Sequence, residues 1–200
     1  VYSACGQIQN LECSPEGCAF DVEIGGESVR LKTVLLGRHN AENIALAATL
    51  AHKLGMSAEE IKTAVEGLGF VEHRLQLIKS GNVNILDDGY NSNVKGAAAA
   101  LEVLKSFRGR KIVVTPGLVE LGVLEECENK QLGASLVGFD YIILVGETLV
   151  LPVKQGYFEN GGEAAKLVIK QSLAAAQEEL KGYLADGDTV LFLNDLPDIY

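Results

Sequence analysis

Two acidic residues end an apolar stretch in the segment Ile85–Asn93, which reads Ile-Leu-Asp-Asp-Gly-Tyr-Asn-Ser-Asn. The apolar residues before Asp87 and Asp88 predict a buried β-strand, and the Gly, Asn and Ser that follow are typical of a turn. In an open α/β sheet, ligands bind just beyond the carboxyl ends of the strands. Two carboxylates there can bind ribose hydroxyls or a hydrated metal ion. The structural alternative is that the acids and Asn93 only cap the turn and the next helix.

A second candidate segment, Gly37–Asn43, reads Gly-Arg-His-Asn-Ala-Glu-Asn and opens a predicted helix. Asn40 stands where a helix N-cap belongs, so one interpretation is that it caps the helix and binds nothing. The other interpretation is adenine binding, because an Asn amide carries both a donor and an acceptor. Asn40 and Asn43 are three positions apart on one helix face and could reach one ring together.

Arg74 follows His73 close to a predicted domain boundary. A single arginine is most often a solvated surface charge. Beside a strand edge at a domain junction, however, a guanidinium can hold a phosphate through two hydrogen bonds. Arg74 is therefore the candidate phosphate ligand, and we expect it to meet Asp88 and the two asparagines in one cleft between the domains.

The elements that position these residues fall into two groups. Alternating apolar and polar residues up to about position 35 predict short antiparallel strands. From Asn40 the period becomes helical, and Ser57–Glu60 is a capping box that starts a second helix. Predicted strands and helices then alternate along the chain, which indicates a parallel, doubly wound sheet. We therefore predict an α/β protein with domains 1–69 and 70–200.

The second half contains the following predicted elements. The strands are Val83–Leu86, Lys111–Val114, Tyr141–Val145, Leu151–Val153 and Thr189–Leu193. The helices are Val94–Phe107, Glu125–Val137 and Glu163–Lys181, and Gln155–Gly162 is predicted to be a loop.

Composition excludes several classes of partner. The 200 residues carry a net charge of −10, which disfavours non-specific binding to nucleic acid or anionic lipid. A hydrophobic content of 48% without a run of membrane-spanning length predicts a globular protein that does not insert into membranes. The first residues lack a signal-peptide pattern, so a cytoplasmic location is expected. Nothing in the sequence indicates an oligomeric state.

The four cysteines are Cys5, Cys13, Cys18 and Cys127. They are too sparse for a small disulfide scaffold, so reduced thiols are expected. Cys13 and Cys18 flank a turn and could face each other across a hairpin. A zinc site would need closer pairs and more ligands, and no metal site is predicted.

In this order, the segments resemble the nucleotide-binding face of the Mur ligase family, ATP-dependent enzymes that build the peptidoglycan stem peptide. Gly37–Asn43 is similar to the family's Gly-x-His-Asn-x-x-Asn block, and Glu72–Arg74 to its Pro-Gly-Arg or Pro-His-Arg block. Asp87–Asn93 resembles the Asp-Asp-Ser-Tyr-Asn-Ala-Asn block of the branch that adds D-alanyl-D-alanine. Val119–Gly122 resembles the Met-x-Glu-Leu-Gly stretch of that branch.

The resemblance implies an amide-bond ligase that uses ATP and Mg²⁺. ATP would phosphorylate a carboxylate of a UDP-muramoyl peptide, and the amine of an amino acid or dipeptide would displace phosphate. Residues 1–69 would be the end of the central ATP-binding domain. Residues 70–200 would be the C-terminal domain, with a Rossmann-like parallel sheet.

Carried over residue by residue, the resemblance implies three groups of side chains. Arg74 and Asp87 would be catalytic. The nucleotide would contact His39, Asn40, Asn43, Arg74, Asp88, Tyr90 and Asn91. The substrate would contact Asn93, Asn194 and Asp195.

The sequence departs from the family pattern at three places. No Gly-x-x-x-x-Gly-Lys-Ser/Thr loop occurs, so most Mg²⁺ and triphosphate ligands are expected upstream, and these residues alone are expected to be inactive. Leu193–Asp195 stands in place of a Lys-Gly-Ser segment, which should weaken capture of an acceptor carboxylate. Thr115–Leu118 stands in place of Gly-Asp-Met and removes an acid from the same cleft.

Two alternatives stay open. One is a related amide ligase, such as a folylpolyglutamate or cyanophycin synthetase. The other is a non-catalytic interaction module that keeps the fold. Assays of the full-length protein with UDP-muramoyl peptides against folates would separate the ligases, and the upstream coding sequence bears on the interaction module.

Overall fold

The computed structural model describes residues 7–90 and 92–194. Asn91, Asp195 and Cys5, which the sequence analysis singles out, lie outside the described residues. The chain divides into two compact units, Val1–Phe70 and Val71–Tyr200.

The first unit combines an antiparallel sheet with two helices, as predicted. Its elements are β1 (Ile8–Ser14), β2 (Gly17–Ile24), β3 (Glu27–Thr33), α1 (Arg38–Lys53) and α2 (Ala58–Glu66). The sheet order is β1-β2-β3, with both pairs antiparallel. Alternation along β2 buries Phe20, Val22 and Ile24 in a core that also contains Ile44 of α1 and Ile61 of α2.

The helix α1 begins at Arg38, not at the expected cap Asn40. Gly37 is the N-cap and has a φ of 84°, a conformation that glycine adopts without the steric cost of a Cβ. Asn40 is the third helical residue, and its Nδ2 donates to the carbonyl of Leu36 at 2.9 Å. The capping interpretation of Asn40 is therefore wrong, because glycine ends the extended chain three residues earlier.

The first hairpin carries a disulfide bond between Cys13 and Cys18. The two residues are directly opposite in the register of β1 and β2, with their Cα atoms 4.2 Å apart. The expectation of reduced thiols is wrong for this pair, because the hairpin register brings them to bonding distance. Cys127 is free and exposed.

The second unit is built on a six-stranded sheet of order β4-β5-β9-β6-β7-β8. Its strands are β4 (Gln76–Ser80), β5 (Val83–Asp88), β6 (Lys111–Thr115), β7 (Tyr141–Val145), β8 (Leu167–Lys170) and β9 (Thr189–Leu193). Its helices are α3 (Val94–Lys105), α4 (Glu125–Ser135), α5 (Val150–Glu159) and α6 (Leu173–Tyr183). The predicted α/β class is confirmed. The edge strand β4, which pairs antiparallel with β5, was not predicted.

Three predicted elements of this unit are wrong. Leu151–Val153 is part of α5, not a strand, and the predicted loop Gln155–Gly162 begins inside the same helix. Proline usually interrupts a helix. Pro152, however, lies in the first turn of α5, where a backbone N–H would have no partner within the helix. The predicted helix Glu163–Lys181 contains β8 and then α6, which Ser172 caps by accepting from the backbone N–H of Ala175.

The core strands explain why this sheet forms. Every residue of β7 is buried, and β6 and β9 are buried at nearly every position. Such continuous apolar runs are typical of parallel strands covered on both faces. In residues 7–90 and 92–194, no helix has the length and apolar character needed to cross a membrane.

Candidate functional site

Polar side chains of the second unit meet at one edge of the sheet. Because β5, β9 and β6 are parallel, their carboxyl ends lie side by side. Asp87 and Asp88 end β5, Thr115 ends β6, and Asn194 directly follows β9. The backbone N–H of Asn194 donates to the carbonyl of Asp88 at 3.0 Å, which joins the first two strand ends.

The carboxylate of Asp88 is held by the two segments beside it. Its Oδ1 accepts the backbone N–H of Leu75 at 3.0 Å, and its Oδ2 accepts the hydroxyl of Ser92 at 3.3 Å. Burial raises the pKa of the Asp88 carboxyl, although these hydrogen bonds and the charge of Arg74 oppose the shift. The structure therefore presents an oriented, partly desolvated carboxyl group at the strand end.

Asp87 uses both carboxylate oxygens within the chain. Its Oδ2 lies 2.8 Å from Nδ1 of His73, and its Oδ1 accepts the backbone N–H of Gly89 at 3.0 Å. Carboxylate oxygens accept hydrogen bonds, and the tautomer of His73 that carries its proton on Nδ1 satisfies this contact. The Asp87 side chain is 16% exposed, whereas that of His73 is 35% exposed.

Arg74 lies over an aromatic ring at the surface. Its Cζ is 4.0 Å from the ring centroid of Tyr90, which is itself 48% exposed. This geometry is a cation–π contact. Within the described part of the chain, the guanidinium of Arg74 makes no hydrogen bond, so its donors are available to an anion.

Asn194 is fully buried, and its side chain connects the loops that follow β5, β6 and β9. Its Oδ1 accepts the backbone N–H of Ser92 at 2.8 Å, and its Nδ2 donates to the carbonyl of Gly117 at 2.6 Å. Both ends of the amide are thus used within the chain. The structure gives Asn194 a supporting role, and its direct contact with a substrate stays a prediction.

Asn93 is exposed and caps α3. Its Oδ1 accepts the backbone N–H of Gly96 at 2.9 Å, as in the capping interpretation of this segment. Its substrate contact also stays a prediction.

Three residues of this edge were missed by the sequence analysis. Ser92 and His73 stand beside predicted site residues, and adjacency alone could have marked them. Asn129 is buried in α4, where it accepts from the N–H of Leu118 at 2.7 Å and donates to the carbonyl of Leu118 at 2.8 Å. In the sequence, the three-residue spacing between Asn129 and Leu132 was the one indication that Asn129 lies on the buried face of α4.

The candidate segment of the first unit lies in the first turn of α1. His39 is half-buried, and burial lowers the pKa of its imidazole, although the charge of Glu42 opposes the shift. Asn43 is exposed one turn beyond Asn40. The helical spacing therefore places these two amides on one face, as predicted. Their convergence with Arg74 and Asp88 stays a prediction.

Among the described residues, no group of three or more His, Cys, Asp or Glu side chains is placed to hold a metal ion. Mg²⁺ usually binds through one or two carboxylates together with substrate phosphates and water.

Comparison with known proteins identifies the family. The model of the family described as Mur ligase, glutamate ligase domain, matches residues 73–194. The UDP-N-acetylmuramoyl-tripeptide–D-alanyl-D-alanine ligase of Escherichia coli is 30% identical over 182 residues, which are 89% of this chain and 40% of that protein. The chain therefore spans well under half of that relative.

Solved structures show the same fold. A crystal structure of MurF from Acinetobacter baumannii has a TM-score of 0.81 at 26% identity, over 94% of this chain and 41% of that one. The MurF ligase of Thermotoga maritima in complex with ADP has a TM-score of 0.79 at 20% identity, over 94% of this chain and 42% of that one. With the family model matching the unit that contains Arg74, Asp88 and Asn194, the chain belongs to the Mur ligase family.

Proposed function

We propose that the chain is part of an ATP-dependent carbon–nitrogen ligase that adds an amino acid or dipeptide to a UDP-muramoyl peptide in peptidoglycan synthesis. The observation that carries the proposal is that a guanidinium with available donors and an oriented carboxyl group lie near each other at the sheet edge. Arg74 lies against Tyr90, and Asp88 ends the neighbouring strand. The E. coli relative bears the name of such a ligase, and the T. maritima relative was solved with ADP.

We assign the nucleotide contacts by the chemistry of each side chain. Arg74 would bind phosphate oxygens, since a guanidinium offers several donors in one plane. Asp88 would accept ribose hydroxyls, and Tyr90 and Asn91 would lie nearby. In the first unit, His39, Asn40 and Asn43 would bind adenine, and the neutral imidazole that burial favours suits an uncharged base. Mg²⁺ would be held by the phosphates and by ligands beyond these residues.

The chain's own residues would act by orienting charge. ATP, when bound, supplies the phosphoryl group that turns a poorly reactive carboxylate into an electrophile. Arg74 would then offset the negative charge that develops as this group moves. Asp87 was predicted to be catalytic, yet both of its oxygens are bonded within the chain, so we propose that it acts through His73.

The experiment uses the full-length protein with ATP, Mg²⁺, a UDP-muramoyl tripeptide and D-alanyl-D-alanine. Phosphate release should require both the nucleotide peptide and an amine. Folate with glutamate is the competing pair, and turnover of that pair alone would contradict the proposal. Arg74→Ala should lower kcat/KM for ATP about a hundredfold, as expected for loss of a charge-stabilising donor. Arg108→Ala is the control, because Arg108 is likewise exposed in the second unit.

We propose that the identity of the amine depends on Asp195, which ends the segment that stands in place of the family's Lys-Gly-Ser. We propose that its charge repels an acceptor carboxylate. Asp195→Lys should then improve kcat/KM for D-alanyl-D-alanine roughly tenfold, consistent with a partly screened charge pair. Asp195→Asn removes the charge without adding a cation and should give an intermediate value. Equal kcat/KM values for all three proteins would exclude Asp195 from acceptor selection.

A further inference from the structure

The residues on both sides of Arg74 have an unusual backbone conformation. His73 has a φ of 57° and Leu75 a φ of 49°. Residues other than glycine seldom adopt positive φ, and leucine lacks the short polar side chain that would help it to do so. Two such residues around one arginine persist only where their surroundings hold them.

The surroundings that hold this segment are the residues at the end of β5. Nδ1 of His73 donates to Asp87 at 2.8 Å, and the backbone N–H of Leu75 donates to Asp88 at 3.0 Å. The carbonyl of His73 accepts the backbone N–H of Tyr90 at 3.2 Å. We call these three hydrogen bonds the arginine clasp. Together with the ring of Tyr90, they hold Arg74 from both sides.

We propose that His73 is a positioning residue for Arg74, because its bond to Asp87 holds the left-handed turn that presents the guanidinium on the ring of Tyr90. The proposal rests on the proposed function only in naming the anion as a nucleotide phosphate. Asp87 then contributes as the acceptor that fixes His73, in place of a direct contact with the reacting groups.

The geometry supports positioning over simple stabilisation. Both His73 and Arg74 retain access to solvent, and polar contacts that stay partly exposed add little to overall stability. What the clasp does determine is the direction of the arginine side chain. A guanidinium that is already oriented loses less conformational entropy when it binds an anion, and small misplacements of such groups reduce catalysis strongly.

Three substitutions of His73 in the full-length protein separate its hydrogen bond from its backbone conformation. His73→Gly allows positive φ but removes the donor. His73→Asn allows positive φ and can place an amide N–H near the position of Nδ1. His73→Ala removes the donor and disfavours positive φ. Each variant is assayed for kcat and for the KM of ATP and of the UDP-muramoyl peptide.

The proposal expects a graded result. His73→Gly should lower kcat/KM for ATP by about tenfold and His73→Ala by more, whereas the KM for the UDP-muramoyl peptide should stay unchanged. His73→Asn should restore most of the loss. Hydrogen exchange measured by mass spectrometry should be faster for the peptide containing Leu75 in the Gly variant than in the Asn variant, since the clasp protects that amide.

Two outcomes would overturn the proposal. Wild-type kinetics for His73→Gly would show that the clasp does not position Arg74. Equal losses in the Gly and Asn variants, with equal hydrogen exchange, would show that the imidazole itself acts. If the Gly variant melts early, Asp87→Leu replaces it: leucine has a similar size but offers no hydrogen-bonding group to His73, so kcat/KM for ATP should again fall, and wild-type kinetics would overturn the proposal.

Failure of the proposed function would appear differently. In that case Arg74→Ala would leave ATP use unchanged, or the wild-type protein would not turn over a UDP-muramoyl peptide. The exchange difference between the Gly and Asn variants would still test the clasp, because it needs no substrate.

Discussion

The backbone N–H of Ser92 donates a 2.8 Å hydrogen bond to Oδ1 of Asn194, although 102 positions separate the two residues. The same amide donates to the carbonyl of Gly117 from its other end. Asn194 has a φ of 69°, a conformation that asparagine tolerates better than most residues. One buried side chain thus sets the relative positions of the loops that follow β5, β6 and β9, and with them the orientation of Asp88.

We expect Asn194→Ala to destabilise the second unit strongly. The substitution leaves the N–H of Ser92 and the carbonyl of Gly117 buried without their partner, and alanine disfavours the local φ. Unpaired buried groups of this kind predict a loss of about 2–4 kcal/mol in the free energy of unfolding. Urea unfolding measures it. Asn160→Ala, which removes one hydrogen bond from an exposed asparagine, is the control and should cost less than about 1 kcal/mol. Equal midpoints for the two variants would contradict the assigned role.

We expect Asp88→Asn to stabilise the protein at neutral pH while weakening nucleotide binding. Burial raises the pKa of the Asp88 carboxyl, so the folded state favours its protonated form, and stability is lost as the pH rises through the folded pKa. An Asn amide can still accept from Leu75 and can donate to Ser92. The gain in stability should appear as a higher Tm of the Asn variant in the absence of nucleotide.

The pH dependence checks that explanation for Asp88. The advantage of the Asn variant should disappear below the ordinary carboxyl pKa of 3.8, where the wild-type group is protonated in both the folded and unfolded states. A variant that melts below the wild type at pH 7, in the absence of nucleotide, would show that the charge itself stabilises the fold.

The pKa of His39 predicts a loss of stability in mild acid. Because burial lowers the pKa of this imidazole, the unfolded state binds more protons below the ordinary value of 6.5, and stability falls as the pH decreases through that region. Thermal melting between pH 7.5 and 5.5, both values lying about one unit from the ordinary imidazole pKa, should show the loss, and His39→Gln should reduce it. Glu42→Gln should enlarge it, since the Glu42 charge opposes the shift. The same pH dependence of the melting temperature in wild type and His39→Gln would show that His39 does not cause the loss of stability.

The placement of the acid pair could be predicted from sequence because it depends only on local patterns. An apolar run before Asp87 and turn residues after Asp88 are sufficient to place them at a strand end. Likewise, the capping box at Ser57 is confirmed, with Oγ of Ser57 accepting from the N–H of Glu60 at 3.3 Å. Each of these signals lies within a few residues of the feature that it predicts.

The contacts that complete the site could not be predicted in this way. The clasp depends on positive φ at His73 and Leu75 and on partners 13 and 14 positions away. The buried amide of Asn129 reaches a loop 11 positions earlier. The strand β4 carries half-buried and exposed residues without a clear alternation, so its pairing with β5 decides its structure.

Substitution of the two asparagines of α1, Asn40 and Asn43, can separate a structural role from a binding role. Asn40→Ala removes the bond to the carbonyl of Leu36 and should cost about 1 kcal/mol in the free energy of unfolding. Asn43 is exposed, and within the described residues its side chain makes no hydrogen bond, so Asn43→Ala should change that free energy by less than about 0.5 kcal/mol. If both amides bind adenine, however, each substitution should weaken ATP binding by the full-length protein several-fold. Calorimetry with ATP and urea unfolding of the same variants give the two quantities. Wild-type ATP affinity in Asn43→Ala would remove this residue from the nucleotide site, because no loss of stability would be available to mask its effect.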